Sequence, residues 1–404
     1  MRRGGPWLRL RTTVALAAAA TVLASCGGGT HRESKISNAP IGSEIEFLYR
    51  AQGTPQLPTL TRAVLERAVA TMRERLAAFA VTGEVNLGPG PDEISLDITK
   101  GQDVARAVAE VGANARLEFY DWEANALLPN GTTVASELRA RYPRALQISQ
   151  GAGEPGAGGM SLYMAVKLAS RLPAMASPRN SRIGSQYYLF GSAGSPACAA
   201  AARFYGVDPA RSGEHCLLSG PDGNVSDLIS GLPPGVRTPV GTQLVVRQGT
   251  VVLEAVPSEL ATPPKPAAPS TRFYVLRDDV ALFGDGITSP EASTDAGGDH
   301  DLEFGLTPPA AASFTRVTAA IAKRGAAVSR PSVKLFQHFA VALDDVLLSV
   351  PEIDFDAYPD GVPAGQGAEI TGGFTAASAR DLALELRLGE LPVDLVLVLQ
   401  RQAP

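Results

Sequence analysis

Cysteine and histidine are the residue types in this sequence that most readily bind metals or act as nucleophiles, and neither is arranged to do so. The four histidines, His31, His215, His300 and His338, lack the spacing of a metal site. The sequence contains no G-x-S-x-G or H-E-x-x-H motif and no phosphate-binding loop. We therefore predict no catalytic residue, no metal and no cofactor, and we do not expect an enzyme.

Two further patterns are weaker candidates for a binding site. Residues 151–156 fit G-x-G-x-x-G, but Pro155 obstructs the helix that a dinucleotide site needs, and Arg182 stands near the position where an acid is required. A loop is therefore the better interpretation. Five aspartates either bind a cation weakly or belong to turns and solvated surface, the interpretation that we favour: Asp344, Asp345, Asp354, Asp356 and Asp360.

The N-terminus has the pattern of a lipoprotein signal peptide. Four arginines precede a short apolar run over residues 14–24, which is too short to span a bilayer but fits a secretory leader. The run ends in Leu-Ala-Ser-Cys, which predicts cleavage before Cys26 and lipidation of that residue. We therefore expect a signal peptide over 1–25, a flexible tether over 26–43, and a chain anchored to the outer face of the bacterial cytoplasmic membrane. The alternative is an ordinary cleaved leader with a chance cysteine.

The charge of the chain argues against a nucleic-acid partner. The formal net charge is −5, and the predicted leader contains four arginines and no acids, so the mature chain is more acidic still. About 378 mature residues are enough for more than one domain. No later stretch is apolar over the 18 residues that a membrane span requires.

Cys198 and Cys216 are the two cysteines left after the leader. An exported chain folds in an oxidising compartment, so a disulfide is the default prediction for this pair. Two free thiols are the alternative. A metal site is less favoured, because only His215 lies near the pair.

Residues 44–121 have the pattern of a β-α-β-β-α-β unit. Apolar residues alternate around 45–49, 85–87 and 94–98, as half-buried strands require, and a helical stripe follows Thr61, a plausible N-cap. Residues 103–111 read as a second helix, and Leu117 to Tyr120 as the strand that closes the unit. This order is typical of a ferredoxin-like α+β sandwich.

The rest of the chain divides into an irregular stretch and a regular one. Residues 124–270 contain short helical pieces among Gly, Pro and Ser, and we expect a partly irregular insertion. Strand and helix patterns return from 273. Thr375 is the predicted cap of a helix that runs to Leu388 and stops at Gly389, and a final strand covers 393–399.

The last segment carries a family signature. It consists of a G-x-F-T turn, a helix and an L-R-x-G-x-L-P-V exit, represented here by Gly372, Gly373, Phe374, Thr375, Arg387, Gly389 and Pro392. Similar runs stand at 339–344, 349–353, 284–287 and 302–307, and in the N-terminal half at 45–47, 72–76 and 117–120. These motifs occur in the order found in the extracytoplasmic domain of SecD, the accessory subunit of the protein-secretion channel, which the chain resembles over 44–123 and 273–404.

The resemblance implies an α+β fold with a ferredoxin-like base built from both chain ends and an inserted α+β head. We assign 44–123 and 367–404 to the base, and 124–366 to the head, with the Gly- and Pro-rich insertion at 124–270. Two departures from the family stand out. A lipobox replaces the first membrane helix, and no membrane bundle follows Pro392 in the printed sequence.

The function that the resemblance implies is a non-enzymatic accessory of protein export that binds emerging, unfolded secreted polypeptide outside the membrane. Its expected partners are SecF-like, SecD-like and SecY-channel subunits. An edge strand such as Phe339 to Leu343 would accept an extended chain by β-addition. The alternative is an envelope lipoprotein with the same fold that binds a different ligand or partner, and a hydrolase is a distant third.

Overall fold

A computed structural model describes residues 44–54, 57–99, 104–140, 159–174, 181–205, 215–233, 235–236, 241–255, 272–295, 297–363 and 367–402. These residues fall into two compact units. The described residues of unit 1 lie within 115–160 and 252–390, and those of unit 2 within 44–114, 161–251 and 391–402. The cleavage box with Cys26, the tether and the 151–156 loop lie outside the described residues.

Seventeen strands are described: β1 Glu44–Gln52, β2 Gly83–Leu87, β3 Glu93–Thr99, β4 Leu117–Asp121, β5 Gln186–Ser192, β6 His215–Asp222, β7 Thr242–Val246, β8 Thr250–Ala255, β9 Arg272–Arg277, β10 Leu282–Phe283, β11 Ile287–Thr294, β12 His300–Leu306, β13 Gln337–Leu343, β14 Val346–Ser349, β15 Glu352–Ile353, β16 Ala368–Phe374 and β17 Asp394–Gln402. The α-helices of the described chain are α1 Arg62–Ala78, α2 Val104–Gly112, α3 Trp122–Asn125, α4 Val134–Ala140, α5 Leu162–Ser170, α6 Pro196–Tyr205, α7 Val225–Ser230, α8 Pro308–Val328 and α9 Ala376–Leu388.

Unit 2 contains a four-stranded antiparallel sheet in the order β17-β1-β3-β2. Residues alternate between buried and half-buried along β1 and β3, because successive side chains of a strand point to opposite faces. The buried face packs on α1 and α2, and Met72 and Ile94 are completely buried there. Thr61 caps α1 through a hydrogen bond from the backbone N–H of Val64, as the sequence predicts.

One of the two strands beside β1 comes from the far end of the chain. It is β17, which pairs with β1 so that Gln402 lies opposite Ile45 and Asp394 lies opposite Gln52. One expectation fails here. Leu117 to Tyr120 does not close this sheet, because β4 pairs with β10 and β13 in unit 1. The final helix α9 packs on β11 and β12, within unit 1. The base-and-head division at 44–123, 124–366 and 367–404 stays a prediction.

Unit 2 also contains a smaller layer within 181–251, which we call the disulfide layer. Its sheet has the order β6-β5-β7, with α6 and α7 packed against it. Cys198 on α6 and Cys216 on β6 are joined as a disulfide and are both buried in the apolar cluster of this layer. Residues 124–270 are expected from the sequence to be partly irregular. Their described part instead consists mostly of short strands and helices, which turns containing Gly and Pro separate.

Unit 1 is built from a larger mixed sheet and a three-stranded one. The larger sheet has the order β10-β4-β13-β14-β8-β9, with β15 also paired to β13, and the smaller has the order β11-β12-β16. A single apolar cluster lies between them and includes Phe314 of α8 and Leu382 of α9. All residues of β4 and β13 are buried, as expected for central strands covered on both faces.

Candidate functional site

The family signature begins at a break in strand pairing. In the β12–β16 ladder Asp301 pairs with Thr371, but His300 pairs with Phe374, so Gly372 and Gly373 are the extra residues of a bulge. Glycine suits a bulge because it tolerates backbone angles that a Cβ would hinder. The G-G-F sequence therefore ends β16 with a change of direction into the next helix.

Thr375 then caps α9 in a reciprocal arrangement. Its hydroxyl accepts a hydrogen bond from the backbone N–H of Ser378 at 3.1 Å, and the Ser378 hydroxyl accepts one from the N–H of Thr375 at 3.0 Å. This capping box satisfies two backbone donors that a helix start leaves without partners. At the other end, Arg387 donates to the carbonyl of Pro290 in β11 at 3.0 Å, which fastens α9 to the small sheet.

The last part of the signature carries the chain from unit 1 to unit 2. Gly389 ends α9 with a positive φ of 84°, which glycine adopts without strain. Leu391 and Val393, on either side of Pro392, are buried in the apolar cluster under the four-stranded sheet. The backbone N–H of Leu391 donates to the carbonyl of Asn114 at 2.9 Å. The residues of this motif therefore set local geometry and packing.

Unit 1 contains an apolar cleft between its two sheets. The cleft holds only about 10 Å³ of open space, room for roughly one water molecule, and is lined by Phe119, Leu282, Phe304, Leu306, Phe314, Phe339, Val341, Ser349, Pro351, Ala368, Glu369 and Ile370. Phe119 stacks on Phe339, with ring centroids 5.6 Å apart, and Phe314 meets Phe339 edge-on at 5.2 Å. Most lining residues are buried, whereas Leu306 is half-buried. The lining is apolar apart from the side chains of Ser349 and Glu369.

A cluster of buried charges lies on β4 and its neighbours. Arg116 is within 3.3 Å of both Glu118 and Asp345, and Tyr120 Oη lies 2.8 Å from Glu118 Oε2 and 3.2 Å from Asp278 Oδ1. Burial raises the pKa of Glu118 well above its ordinary value, while the Arg116 guanidinium acts in the opposite direction. Burial likewise raises the pKa of the Tyr120 hydroxyl. Glu118 therefore takes up a proton more readily than an exposed glutamate does.

Asp344 extends this cluster into a strained turn. Asp344 and Asp345 form the β13–β14 turn with positive φ values of 47° and 66°, a conformation that aspartate tolerates better than most residues. The Asp344 carboxylate accepts hydrogen bonds from the backbone N–H groups of Ala115 and Arg116 at 3.0 and 2.8 Å. Burial raises its pKa, and these bonds and the Arg116 charge oppose that rise. These two aspartates therefore belong to a turn.

A second polar network ties α8 and α3 to β13. Arg324 donates to both carboxylate oxygens of Asp121 and to Gln337. The His338 ring Nδ1 lies 2.7 Å from Glu123 Oε1, and the His338 backbone N–H donates to Glu123 Oε2 at 2.9 Å. Glu123 is completely buried. The network satisfies buried polar groups, so its role is structural.

The other sequence candidates are dispersed. Among the described residues no group of three or more His, Cys, Asp or Glu side chains is placed to hold a metal ion. Asp354 accepts hydrogen bonds from the N–H groups of Asp356 and Ala357 within its own turn, and Lys334 pairs with Asp356. His215 stacks on Tyr163, and His300 contacts Thr294.

One sequence expectation about binding is wrong. Phe339 to Leu343 is not an edge, because β13 has β4 on one side and β14 and β15 on the other. Its backbone cannot accept an added strand. Sequence reasoning also missed Glu118, on β4, and Asp278, directly after β9, as buried groups, since charged residues usually face solvent.

Comparison with known proteins shows which family part of this chain resembles. The model of the SecDF P1 head subdomain matches residues 258–393. The protein translocase subunit SecD of Rickettsia conorii is 32% identical over 129 residues, which cover 32% of this chain and 21% of the relative. SecD of Rhodobacter capsulatus is 30% identical over 137 residues, or 34% of this chain and 21% of that protein. The matched chain thus spans about a fifth of these relatives.

Solved structures of SecDF are also similar. A crystal structure of SecDF in its super-membrane-facing form has 16% sequence identity and a TM-score of 0.40, and the match covers 90% of this chain and 30% of that one. A structure described as a membrane component SecDF that enhances protein export has 17% identity and a TM-score of 0.38, with 88% and 99% covered. No helix in the described part of this chain is long and apolar enough to span a membrane. The described strands and helices confirm the α+β fold class. The resemblance to SecD is confirmed over residues 258–393, the part of the chain that the family model matches.

Proposed function

We propose that this protein is an accessory of protein export that binds extended, unfolded polypeptide outside the cytoplasmic membrane, without a cofactor and without catalysing a reaction. The supporting observation is that the SecD-like segment, 258–393, supplies most of the apolar cleft of unit 1. A secretion accessory must accept many sequences, and an apolar aromatic surface discriminates little among hydrophobic side chains. SecF-like, SecD-like and SecY-channel subunits are the proposed partners.

Leu306 and Leu348 allow a matched test of the cleft. Both are half-buried leucines that pack on the apolar cluster of unit 1, but only Leu306 lines the cleft. Titration of a fluorescently labelled, unfolded secreted protein into the full mature chain should give weak, micromolar binding. Leu306→Glu should weaken that binding at least tenfold, and Leu348→Glu should change it less than twofold.

The outcomes separate this function from the alternative ligand. Equal effects of the two variants would place binding elsewhere. No binding at high micromolar concentration, or tight binding of one small molecule in its place, would favour the envelope lipoprotein with another ligand. Circular dichroism of both variants serves as the folding control.

We propose further that the protein is held at the membrane by a lipid on Cys26, the residue of the cleavage box. Cys26→Ala should release the protein from washed membranes, and retention there would refute the anchor. In the exported protein we expect the Cys198–Cys216 pair to be oxidised, so thiol labelling of the denatured, unreduced mature chain should modify neither residue.

A further inference from the structure

The disulfide layer meets the four-stranded sheet of unit 2 at one carboxylate. Asp227, in the first turn of α7, accepts a hydrogen bond from the Arg50 guanidinium at 2.7 Å and one from the Gln52 amide at 3.5 Å. Asn224 donates to the same carboxylate at 2.6 Å and accepts from the Asp227 backbone N–H at 3.0 Å. The side chains of Arg50 and Asp227 are 26% and 16% exposed, so water reaches the pair without surrounding it.

Arg50 and Gln52 belong to the face of β1 that turns away from the core. Their neighbours Tyr49 and Ala51 are buried under α1 and α2, and successive side chains of a strand alternate between faces. Adjacent to this contact, a Cβ on Gly223 would lie only 2.7 Å from Gln52 Oε1, so the chain entering α7 closely approaches the strand. The layer therefore sits on the face of the sheet that α1 and α2 leave uncovered.

Among the described residues, the two parts have separate apolar clusters. The apolar cluster under the sheet draws on β1, β2, β3, α1, α2 and the 391–397 segment, whereas that of the disulfide layer draws on residues between Tyr187 and Val236, and the two have no residue in common. On α7 itself, Val225 and Ile229 are 38% and 47% exposed. Junctions made of polar contacts allow relative motion by default.

Arg50 also has a second acidic neighbour. Asp92, in the loop that joins β2 to β3 of the four-stranded sheet, lies 3.9 Å from the guanidinium. When Asp227 leaves, Arg50 therefore keeps a carboxylate partner and is not stranded without a counter-charge. An ion pair with an alternative partner on one side is suited to opening and closing.

We infer that Arg50 and Asp227 form a latch that holds the disulfide layer on the four-stranded sheet, and that breaking the pair releases the layer. The inference concerns a conformational device and does not depend on the proposed binding of polypeptide. Hydrogen bonds to charged groups stabilise more than neutral ones, so loss of the pair should raise the released population at least tenfold.

Single-molecule energy transfer on the full mature chain tests the latch. Fluorophores are introduced through non-natural amino acids at Ala70 on α1 and Thr242 on β7, both exposed positions, so that the cysteines stay untouched. Asp227→Arg should add a second distance population or enlarge a minor one at least tenfold. The double variant Arg50→Asp/Asp227→Arg should restore the original distribution. The control is Asp279→Arg, which reverses the charge of an exposed residue in unit 1 and should leave the distribution unchanged.

Salt supplies a measurement that needs no variant. Raising NaCl to 1 M should shift the wild-type distribution in the direction of Asp227→Arg, because screening weakens a partly exposed pair. An unchanged distribution in Asp227→Arg, or the same change in Asp279→Arg, would overturn the latch. If Asp227→Arg does not fold, Asp227→Asn and the salt series decide: a shift in both supports the latch, and no shift in either refutes it.

Discussion

The interior of unit 1 around β4 is rich in acids, whereas the interior beneath the four-stranded sheet of unit 2 is largely apolar. In unit 1, Glu118, Asp278 and Asp344 are buried around Arg116. In unit 2, the sheet packs on Met72 and its apolar neighbours, and Arg75 donates to the carbonyl of Ala113. Acid-rich interiors take up protons and apolar ones do not, so the two regions should respond differently to pH and to mutation.

The largest effect is expected from removing the cation of the acidic cluster. Arg116→Met leaves buried carboxylates without their counter-charge, which typically costs about 3–5 kcal/mol. The free energy of unfolding should fall by that amount at pH 8 and by less at pH 5, where the carboxyls are more readily protonated. Urea unfolding at the two pH values measures the difference, and a loss independent of pH would contradict the acid-rich description.

A core substitution in unit 2 should lower the free energy of unfolding nearly as much as Arg116→Met does, but by the same amount at every pH. Met72 is completely buried, and Met72→Ala should lower the free energy of unfolding by about 2–5 kcal/mol through the cavity that it leaves. Met164, which is 51% exposed on α5, is the matched control, and Met164→Ala should change stability by less than about 0.5 kcal/mol. Similar losses from both variants would mean that Met72 is not a core residue.

The sign of the pH dependence follows from Glu118. Its pKa is raised in the folded chain above the ordinary value of 4.5. Between pH 4.5 and that raised pKa, the folded state therefore holds a proton that the unfolded state has released. Stability is therefore fully present below pH 4.5 and is lost as pH rises toward the folded pKa, at up to about 1.4 kcal/mol per pH unit. Asp344 and Asp121, whose pKa values burial also raises, contribute with the same sign.

Glu118→Gln isolates that contribution. The variant should lose stability less steeply than the wild type between pH 5 and 8, because the neutral amide has no proton to release. Hydrogen exchange resolved by segment should show the difference in β4 and β13 and leave β1 and β3 unaffected. If the stability of the variant fell more steeply with pH than that of the wild type, Glu118 would not be the group that releases the proton.

The smallest effects compare two helix caps. Thr375 makes a reciprocal capping box in unit 1, whereas Thr61 makes a single capping bond in unit 2. Alanine at either position should cost about 1 kcal/mol, with the greater loss at Thr375, because its hydroxyl accepts from the Ser378 N–H and also donates to the Ser378 hydroxyl at 3.1 Å. Thermal unfolding of both variants checks the order, and a greater loss at Thr61 would show that the second bond of the Thr375 hydroxyl contributes nothing.

Local elements were predictable from the sequence, and their partners were not. The alternation in β1 and β3 and the stripe of α1 specify strand and helix directly, since each pattern has its own period. The 117–120 segment also reads as a strand, but nothing local says that it pairs with β13, more than 200 residues away. That pairing makes β4 an inner strand of the sheet, and packing on both faces then buries it together with Glu118, which its alternation alone assigns to the surface.

The candidate site divides in the same way. The motif around Gly372 to Pro392 was identifiable because it combines a bulge, a cap and a helix end, each with local residue preferences. The cleft was not identifiable, since Phe119, Phe304 and Phe339 come from three strands that only tertiary folding brings together. The strands of the disulfide layer escaped prediction because Gly and Pro interrupt their patterns.

Site-specific photo-crosslinking during export tests the central claim most directly. A photoreactive phenylalanine analogue is placed at Leu306, in the cleft, or at Leu348, outside it, in the full chain, and a secreted protein is halted in transit. The account predicts a crosslink to the halted polypeptide from position 306 at least several times stronger than from position 348. Equal crosslinking from both positions, or none from position 306 while the secreted protein is in transit, would contradict it.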